Sequence, residues 1–193
     1  MLQLRNATPA DIPRLRDLIE QSVRALSVGY YTGPQIESAL RHVFGPDTQL
    51  IADRTYYVIE SEAGELVAAG GWSRRRTLYG GDQMKGVEDP LLDPATEAAR
   101  IRAFFVHPAR ARCGLGRQLF ERCAAGAARA GFRTMELMAT LPGEPLYRAL
   151  GFAEIERSSA PLPDGEVLPV VRMARPLAAP AEAESGAAPD RAE

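Results

Sequence analysis

Residues 101–117 read IRAFFVHPARARCGLGR, a stretch in which a strand, a glycine turn and the start of a helix follow one another. The β-branched and aromatic residues of 101–106 predict a strand, which the His-Pro pair after it ends. From Leu115 onward apolar side chains recur at helical spacing, and Gly131 ends the helix. The turn holds two glycines and two arginines at a helix N-terminus, where unpaired N–H groups and the helix dipole favour an anion. This pattern predicts a phosphate-binding turn, although a helix start that only needs a tight turn would give the same pattern.

Three other motifs are excluded by the residues at their deciding positions. A P-loop needs Gly-Lys-Ser/Thr, and no such triplet occurs in the chain. A dinucleotide fingerprint needs a glycine three residues after Gly116, where the chain has Leu119. A hydrolase elbow needs a glycine two residues after its serine, and Ser73 has Arg75 at that position. The glycine turn therefore belongs to none of these classes.

The chain around this stretch predicts a mixed sheet with helices packed on it, an α/β (α+β) fold. Thr8 followed by Pro9 and Asp11 is typical of a helix start. The predicted order of elements is β-α-α-β-β-β-α-β-α-β-β, and residues 75–98 form a connection of a length that is usually functional. The predicted strands are 2–5, 55–61, 66–72, 101–106, 134–139, 153–159 and 167–173, and the helices start near residue 8 and span 34–44, 115–130 and 145–150.

Length and composition fit one domain followed by a short tail. The chain has 193 residues, of which 46% are hydrophobic and 25% charged, as in ordinary globular domains. From Ala178 it reads AAPAEAESGAAPDRAE, without one large apolar side chain. Such a segment cannot bury enough surface to offset its ordering entropy. We therefore expect a folded domain over residues 1–177 and a disordered C-terminal tail over 178–193.

Charge and cysteine content exclude several classes of function. Lys and Arg number 23 against 25 Asp and Glu, a net charge of -2, which argues against a nucleic-acid partner. No apolar run approaches the roughly 20 residues of a membrane span, and the N-terminus does not resemble a signal peptide. With two His and two Cys a zinc site is not expected, and Cys113 and Cys123 are too far apart for a disulfide. We expect a cytoplasmic protein that binds no metal, membrane or nucleic acid.

Three motifs together resemble the GCN5-related N-acetyltransferase (GNAT) superfamily. They are the strand and stop Phe104–Pro108, the turn Arg112–Arg117, and Leu146–Phe152, which contains a Tyr-x-x-x-Gly-Phe pattern. Their order and spacing are those of the superfamily, and so is the order of elements along the folded domain. The resemblance implies the GNAT-like acyl-CoA N-acyltransferase fold, a central twisted mixed β-sheet flanked by helices. One position departs from the superfamily, because its usual Arg or Gln at the start of the turn is Ala111 here.

The resemblance also implies a site for acetyl-CoA as cosubstrate, without a metal. The strand before the turn would bind the pantetheine arm and the thioester carbonyl through its backbone. The strand at 134–139 would splay away from it to admit the cofactor. Thr140 stands where relatives often carry an Asn that contacts the cofactor. The implied acetyl-CoA-binding residues are Phe104, Phe105 and Val106 on the strand, Arg112, Cys113, Gly114, Leu115, Gly116 and Arg117 on the turn, and Thr140.

Two residues are implied as catalytic and four as acceptor-binding. Tyr147 matches the general acid that protonates the departing thiolate, with a core tyrosine as the alternative. Glu136, on the strand beside the cofactor gap, is the candidate base, with a solvated strand glutamate as the alternative. The regions that build the acceptor pocket in relatives contain four further candidates, Tyr30, Tyr31, Trp72 and Arg74.

The implied function is that of an N-acetyltransferase enzyme. It would transfer the acetyl group of acetyl-CoA to a primary amine of a small molecule or a peptide N-terminus, by direct attack in a ternary complex. The alternative is a non-catalytic acyl-CoA-binding or regulatory module on the same fold. Tyr147 favours the enzyme, whereas Ala111 and the missing Asn are compatible with the module. The sequence leaves open the identity of the amine, the base and the oligomeric state, a homodimer included.

Overall fold

The described residues form one sheet of seven strands, which are β1 (Gln3–Asn6), β2 (Tyr56–Glu60), β3 (Leu66–Ser73), β4 (Ala99–Val106), β5 (Thr134–Thr140), β6 (Ala153–Pro161) and β7 (Val167–Pro176). The computed structural model describes residues 1–85 and 88–177, so the predicted C-terminal tail lies outside the described residues. The strand order is β1-β2-β3-β4-β5-β7-β6. Neighbouring strands are antiparallel except β4 and β5, which are parallel. The prediction of a mixed sheet is confirmed.

Within the same residues five α-helices connect the strands, namely α1 (Ile12–Leu26), α2 (Gly33–His42), α3 (Thr48–Ala52), α4 (Leu115–Arg129) and α5 (Glu144–Ala149). Short 3-10 turns lie at Pro9–Asp11, Asp82–Met84 and Pro108–Arg110. In this described part of the chain, no helix combines the length and apolar character that crossing a bilayer would require.

The start of the first helix follows its sequence signal. The Asp11 carboxylate accepts hydrogen bonds from the N–H of Thr8 at 2.8 Å and from its hydroxyl at 2.9 Å. Arg5 pairs with the same carboxylate at 2.8 Å, and this hydrogen bond lowers the pKa of Asp11 far below its usual range although the group is buried. One 3-10 turn then leads into α1 at Ile12, so the predicted start at Thr8 is confirmed.

The core lies on both faces of the sheet. Along β5, Met135 and Leu137 pack with Leu119 and Cys123 of α4 in one apolar cluster. Met138, the next residue along the strand, packs in a second cluster with residues of α1, α2 and β7. Because successive side chains of a strand point to opposite faces, α4 covers one face of the sheet while α1 and α2 cover the other.

The two parallel strands pair over a short distance before they separate. In the described chain β4 and β5 pair only where Ala99 faces Met135 and Arg100 faces Glu136. Beyond these pairs β4 continues along β3, and β5 continues along β7. A wedge-shaped gap therefore opens between the C-terminal ends of β4 and β5, as the resemblance implies.

A β-bulge in β4 changes the face to which its side chains point. The pairing with β3 shifts between Arg102 and Phe105, where β4 contains one extra residue. Ala103 lies in this bulge with φ 55, in the left-handed region that is uncommon outside glycine. After the bulge Phe104 packs on the α4 face and Phe105 on the α1 and α2 face. Two consecutive phenylalanines thus pack on opposite faces of the sheet.

Several features differ from the sequence prediction, among them the ends of β6 and β7, which continue to Pro161 and Pro176. Helix α3 is not predicted, because its five residues are too few to show a helical period. Its N-cap is Asp47, whose carboxylate accepts from the N–H of Leu50 at 3.1 Å. Strand β4 begins at Ala99, two residues before the predicted start. The connection 75–98 contains a 3-10 turn and an antiparallel bridge between its two arms, so it has more structure than its composition indicates.

Candidate active site

A cavity of about 220 Å³ lies at the gap between β4 and β5. Strand β4 lines it from Ile101 to Val106, and α5 contributes Leu146 and Tyr147. Residues of α1 and the segment 78–81 form the opposite wall. Five residues singled out by the sequence line this cavity, namely Phe104, Phe105, Val106, Thr140 and Tyr147.

The turn before α4 has a backbone conformation suited to an anion. Gly114 is the N-cap of α4 with φ 81, and Arg112 has φ 64, so both residues are left-handed. The first N–H groups of α4 have no partner within the helix, and a glycine N-cap has no side chain to accept from them. A Cβ placed on Gly114 would meet no described atom within 4 Å, so the space beside the turn is open. The exposed side chains of Arg112 and Arg117 add positive charge there, and the turn can therefore hold a phosphate group.

The second glycine of the turn serves packing instead. Gly116 is buried, and a Cβ on it would approach the side chain of Leu146 to 2.7 Å. Since Leu146 belongs to α5, this glycine lets α4 and α5 come close together. Of the two glycines predicted to admit a pyrophosphate, only Gly114 faces open space.

Tyr147 is held between two aromatic rings at the cavity. Its residue is 8% exposed, and its ring centroid lies 6.2 Å from that of Phe104 and 5.8 Å from that of Phe152. Burial raises the pKa of the Tyr147 phenol well above its usual value of about 10, and no hydrogen bond from a described residue offsets the effect. The hydroxyl is therefore protonated at neutral pH and can donate a hydrogen bond into the cavity.

Glu136, the predicted base, lies at the centre of an ion-pair cluster. Its carboxylate accepts a hydrogen bond from Arg100 of β4 at 2.7 Å and another from Arg172 of β7, so it joins three strands. The residue is 7% exposed and lies outside the cavity lining. Burial raises the pKa of Glu136, but the hydrogen bond from Arg172 and the charge of Arg100 outweigh it, and the net pKa is below the usual range. Because a carboxylate held by two guanidinium groups is a poor proton acceptor, its position does not support the predicted base.

None of the four predicted acceptor residues lines the cavity. The hydroxyl of Tyr31 donates to the carbonyl of Pro169 at 2.7 Å and accepts from the N–H of Leu141 at 2.8 Å. Burial raises the pKa of Tyr31 to about 12. Trp72 packs on the α4 face, with its ring 6.0 Å from that of Phe132. Both residues are therefore part of the core.

The other two predicted acceptor residues lie at the surface. Tyr30 is 49% exposed. The guanidinium of Arg74 is half exposed and reaches the carboxylate of Asp53 at 4.0 Å. The place of these residues in the sequence therefore does not predict where their side chains point.

Sequence reasoning missed the buried ion pair that holds the wall formed by residues 78–81. Arg102 is 3% exposed, pairs with Asp47 at 2.8 Å, and donates to carbonyl groups of the connection, that of Gly80 among them. Asp47 also pairs with Lys85. The available signal was an arginine within the apolar strand IRAFFV, because a buried arginine needs a carboxylate partner.

The cysteines are free, with Cys113 exposed on the turn and Cys123 buried in α4. Across residues 1–85 and 88–177, no group of three or more His, Cys, Asp or Glu side chains could hold a metal ion.

The structure brings together two parallel strands that separate, a glycine turn at the start of the following helix, and a tyrosine at the gap. A family model described as an acetyltransferase (GNAT) domain matches residues 52–154, just over half of the chain. The chain therefore belongs to the GNAT acetyltransferase family. The matched range includes β4, the turn, α4, β5 and α5, which are the elements that build the gap.

Solved acetyltransferase structures share this fold. A GCN5-related N-acetyltransferase from Rhodopseudomonas palustris is 18% identical with a TM-score of 0.66, and the match covers 91% of this chain and 95% of that chain. The ribosomal-protein-S18-alanine N-acetyltransferase of Escherichia coli is 18% identical with a TM-score of 0.57, over 95% of this chain and 98% of that chain. The PaiA N-acetyltransferase of Thermoplasma acidophilum, solved with coenzyme A, is 11% identical with a TM-score of 0.63. The match covers 91% of this chain and 99% of that chain. At these identities the likeness to the solved structures shows the fold alone. Among curated proteins, none matches the chain.

Gly114→Val tests the turn. We expect coenzyme A affinity to fall at least tenfold, because the branched side chain would fill the open space beside the N-terminal N–H groups of α4. Gly165→Val is the matched control, since Gly165 also has a positive φ of 89 and open space but lies in the β6–β7 turn. Both variants should lose roughly 1–2 kcal/mol of stability to the left-handed backbone. Calorimetric titration that finds equal coenzyme A affinity in the two variants would contradict the assignment.

Glu136→Gln separates an ion-pair role from a base role. We expect a loss of roughly 2 kcal/mol in the free energy of unfolding, because two charged hydrogen bonds lose their anion. The folded-state pKa is depressed, so the stabilisation is present above the unfolded pKa of about 4.3 and is lost as pH falls through the lower folded pKa. Denaturation at pH 7 and at pH 3 checks this, with the exposed Glu121→Gln as control. A variant of unchanged stability with a large loss of turnover would instead support the base.

Proposed function

We propose that this protein is an acetyl-CoA-dependent N-acetyltransferase that acetylates a primary amine by direct attack within a ternary complex, with residues 1–177 as the catalytic domain. The position of Tyr147 supports the proposal most directly. Its protonated hydroxyl lies at a cavity that reaches the gap between β4 and β5. A hydrogen-bond donor at this point can protonate a leaving thiolate, whose conjugate acid has a pKa of about 8.5.

Acetyl-CoA as a substrate fits the residues around the gap. Beyond Arg100 the edge of β4 that faces β5 has no strand partner in the described chain, so its backbone groups are available for a bound ligand. Along this edge the N–H of Val106 already donates at 3.2 Å to the hydroxyl of Ser22, so a ligand would have to replace that hydroxyl to use it. Backbone donors in this position can polarise a thioester carbonyl and stabilise charge that develops on its oxygen. The turn around Gly114 would hold the pyrophosphate.

The amine must lose its proton without a nearby enzymatic base. Among the described residues that line the cavity there is no Asp, Glu or His. The ion-paired Glu136 has a lowered pKa and lies outside the lining. We therefore propose that the amine enters as the neutral free base, or transfers its proton to water, and that the cavity contributes positioning and the Tyr147 donor.

Tyr147→Phe removes the donor and keeps the ring. We expect turnover to fall by roughly 10²–10⁴-fold, the usual contribution of a positioned acid, while coenzyme A affinity and melting temperature change little. Tyr57→Phe is the control, because Tyr57 is equally buried on β2 and lies outside the cavity lining. Thiol release from acetyl-CoA with an amine panel measures the effect. Turnover within about threefold of wild type would show that the hydroxyl is structural, and binding without transfer to any amine would support the non-catalytic module.

The pH dependence follows from the same residues. We expect kcat/KM to rise about tenfold per pH unit toward the pKa of the amine, near 10.4 for an alkylamine, because only its neutral form attacks. The raised pKa of Tyr147 keeps the acid protonated over this range, so no alkaline fall is expected below about pH 10. A plateau between pH 6 and pH 8 would instead reveal a base in the enzyme.

A further inference from the structure

We infer that the acceptor is a small primary amine on an apolar body, aromatic or aliphatic, without a second charged group. This inference rests on the proposed function and adds the class of substrate to it. It follows from the wall of the cavity, from its size, and from the contacts between α2 and the β6–β7 hairpin.

Most of the large side chains that line the cavity outside the gap are apolar or aromatic, and together they form its apolar wall. They are Val43, Phe44, Tyr79, Phe105, Leu168 and Val170. The ring centroids of Phe44 and Phe105 lie 5.9 Å apart at an angle of 79°, so the two rings form an edge-to-face pair at this wall. Such a surface stabilises an apolar body by burial, and it offers an ammonium group aromatic rings and hydroxyl groups but no carboxylate.

The one charged residue in the described lining is Arg102, and its charge is compensated away from the cavity. Its guanidinium is paired with the fully buried Asp47 at 2.8 Å and donates to the carbonyl groups of Thr77 and Gly80. The net field of this pair does not attract a cation. A diamine would have to bury its second ammonium group without a carboxylate, which is strongly unfavourable.

Three acidic side chains line a groove next to the cavity, and each of them is already paired. Phe44 and Gly45 line both the cavity and this groove, which also contains Glu20, Glu37 and Asp82. Asp82 pairs with Lys85 at 3.2 Å. Arg24 pairs with Glu20 at 2.9 Å and also with Glu37. The groove therefore carries both signs of charge in mutual contact and does not form an acidic path for polyamines.

The size of the cavity limits the acceptor to one small body. An apolar cavity of about 150 Å³ is large enough to bind benzene. The present cavity of about 220 Å³ must also admit the thioester end of acetyl-CoA, so the room left for the acceptor is that of one small body.

Contacts between α2 and the β6–β7 hairpin argue against a peptide acceptor. Gln35 donates to the carbonyl of Val167 at 2.8 Å, and Ser38 donates to the carboxylate of Asp164 at 2.6 Å. These bonds tie α2 to the hairpin that contributes Leu168 and Val170 to the cavity lining. A peptide whose first residue entered the cavity would have to continue on another side, past the groove that shares Phe44 and Gly45 with it.

Matched amines test the inference with the full chain and acetyl-CoA. Butylamine and 1,4-diaminobutane differ only in the second amine, and 2-phenylethylamine supplies a ring. We expect kcat/KM for butylamine to exceed that for 1,4-diaminobutane at least a hundredfold, with 2-phenylethylamine higher than butylamine and an Ala-Ala peptide poor. Equal or better acetylation of the diamine, of spermidine or of the peptide would overturn the inference while leaving the proposed function intact.

A charge placed in the wall gives the second test. Leu78→Glu introduces a carboxylate at a half-buried lining position, and Leu91→Glu is the control at an exposed position of the same connection. In Leu78→Glu we expect kcat/KM to fall at least tenfold for 2-phenylethylamine and to rise for 1,4-diaminobutane. Leu91→Glu should leave both values within about twofold. The same response in both variants would contradict the assignment of this wall to the acceptor.

Coenzyme A affinity and melting temperature, measured for each variant, distinguish a failure of the substrate class from a failure of the proposed function. If no amine is acetylated although coenzyme A binds to the folded protein, the proposed function fails and the inference falls with it. If amines are acetylated but those with a second charged group are preferred, the proposed function stands and only the substrate class is overturned.

Discussion

The rest of the site depends on a short parallel pairing that Glu136 holds in place. Arg100 from β4 and Arg172 from β7 meet this one carboxylate. Glu136 and Arg100 are largely shielded from water, where charges interact more strongly than in bulk solvent, whereas the Arg172 side chain is partly exposed. The pairing fixes β4 and β5 at one end only. Because each strand then follows its other neighbour, the separation at the opposite end follows from the topology and needs no ligand to open it.

The bulge in β4 determines to which side of the sheet each phenylalanine points at the open end of the gap. It lets Phe104 support the ring of Tyr147 from the α4 side and Phe105 form the apolar wall with Phe44 on the other side. A left-handed Ala103 costs roughly 1–2 kcal/mol, which the surrounding ladder and packing must offset. One local irregularity of the backbone therefore places the proposed acid and the proposed acceptor wall on opposite sides of the same strand.

Much of the fold and part of the site could be predicted from the sequence. The strand, turn and helix around Gly114 are determined by local signals, and the same holds for Tyr147 on its short helix. The role of Glu136 depends on partners 36 residues away on each side, which no local pattern reveals. The directions in which the Trp72 and Tyr31 side chains point depend on strand register and on helix docking, and chain position alone does not reveal that both are buried outside the cavity lining. Gly116 shows the same limit, because a glycine needed for close helix packing cannot be told from one needed for a ligand.

The anchoring of residues 78–81 by Arg102 has a consequence for how this scaffold can diversify. Arg102 holds the segment through main-chain carbonyl groups, while the side chains of Leu78 and Tyr79 are left to shape the cavity. Tyr79 also packs against the core, whereas Leu78 belongs to none of the core clusters. A replacement of Leu78 would therefore change the cavity surface while the main-chain bonds that anchor the segment remain in place, so the fold and the shape of the cavity can vary independently at this position.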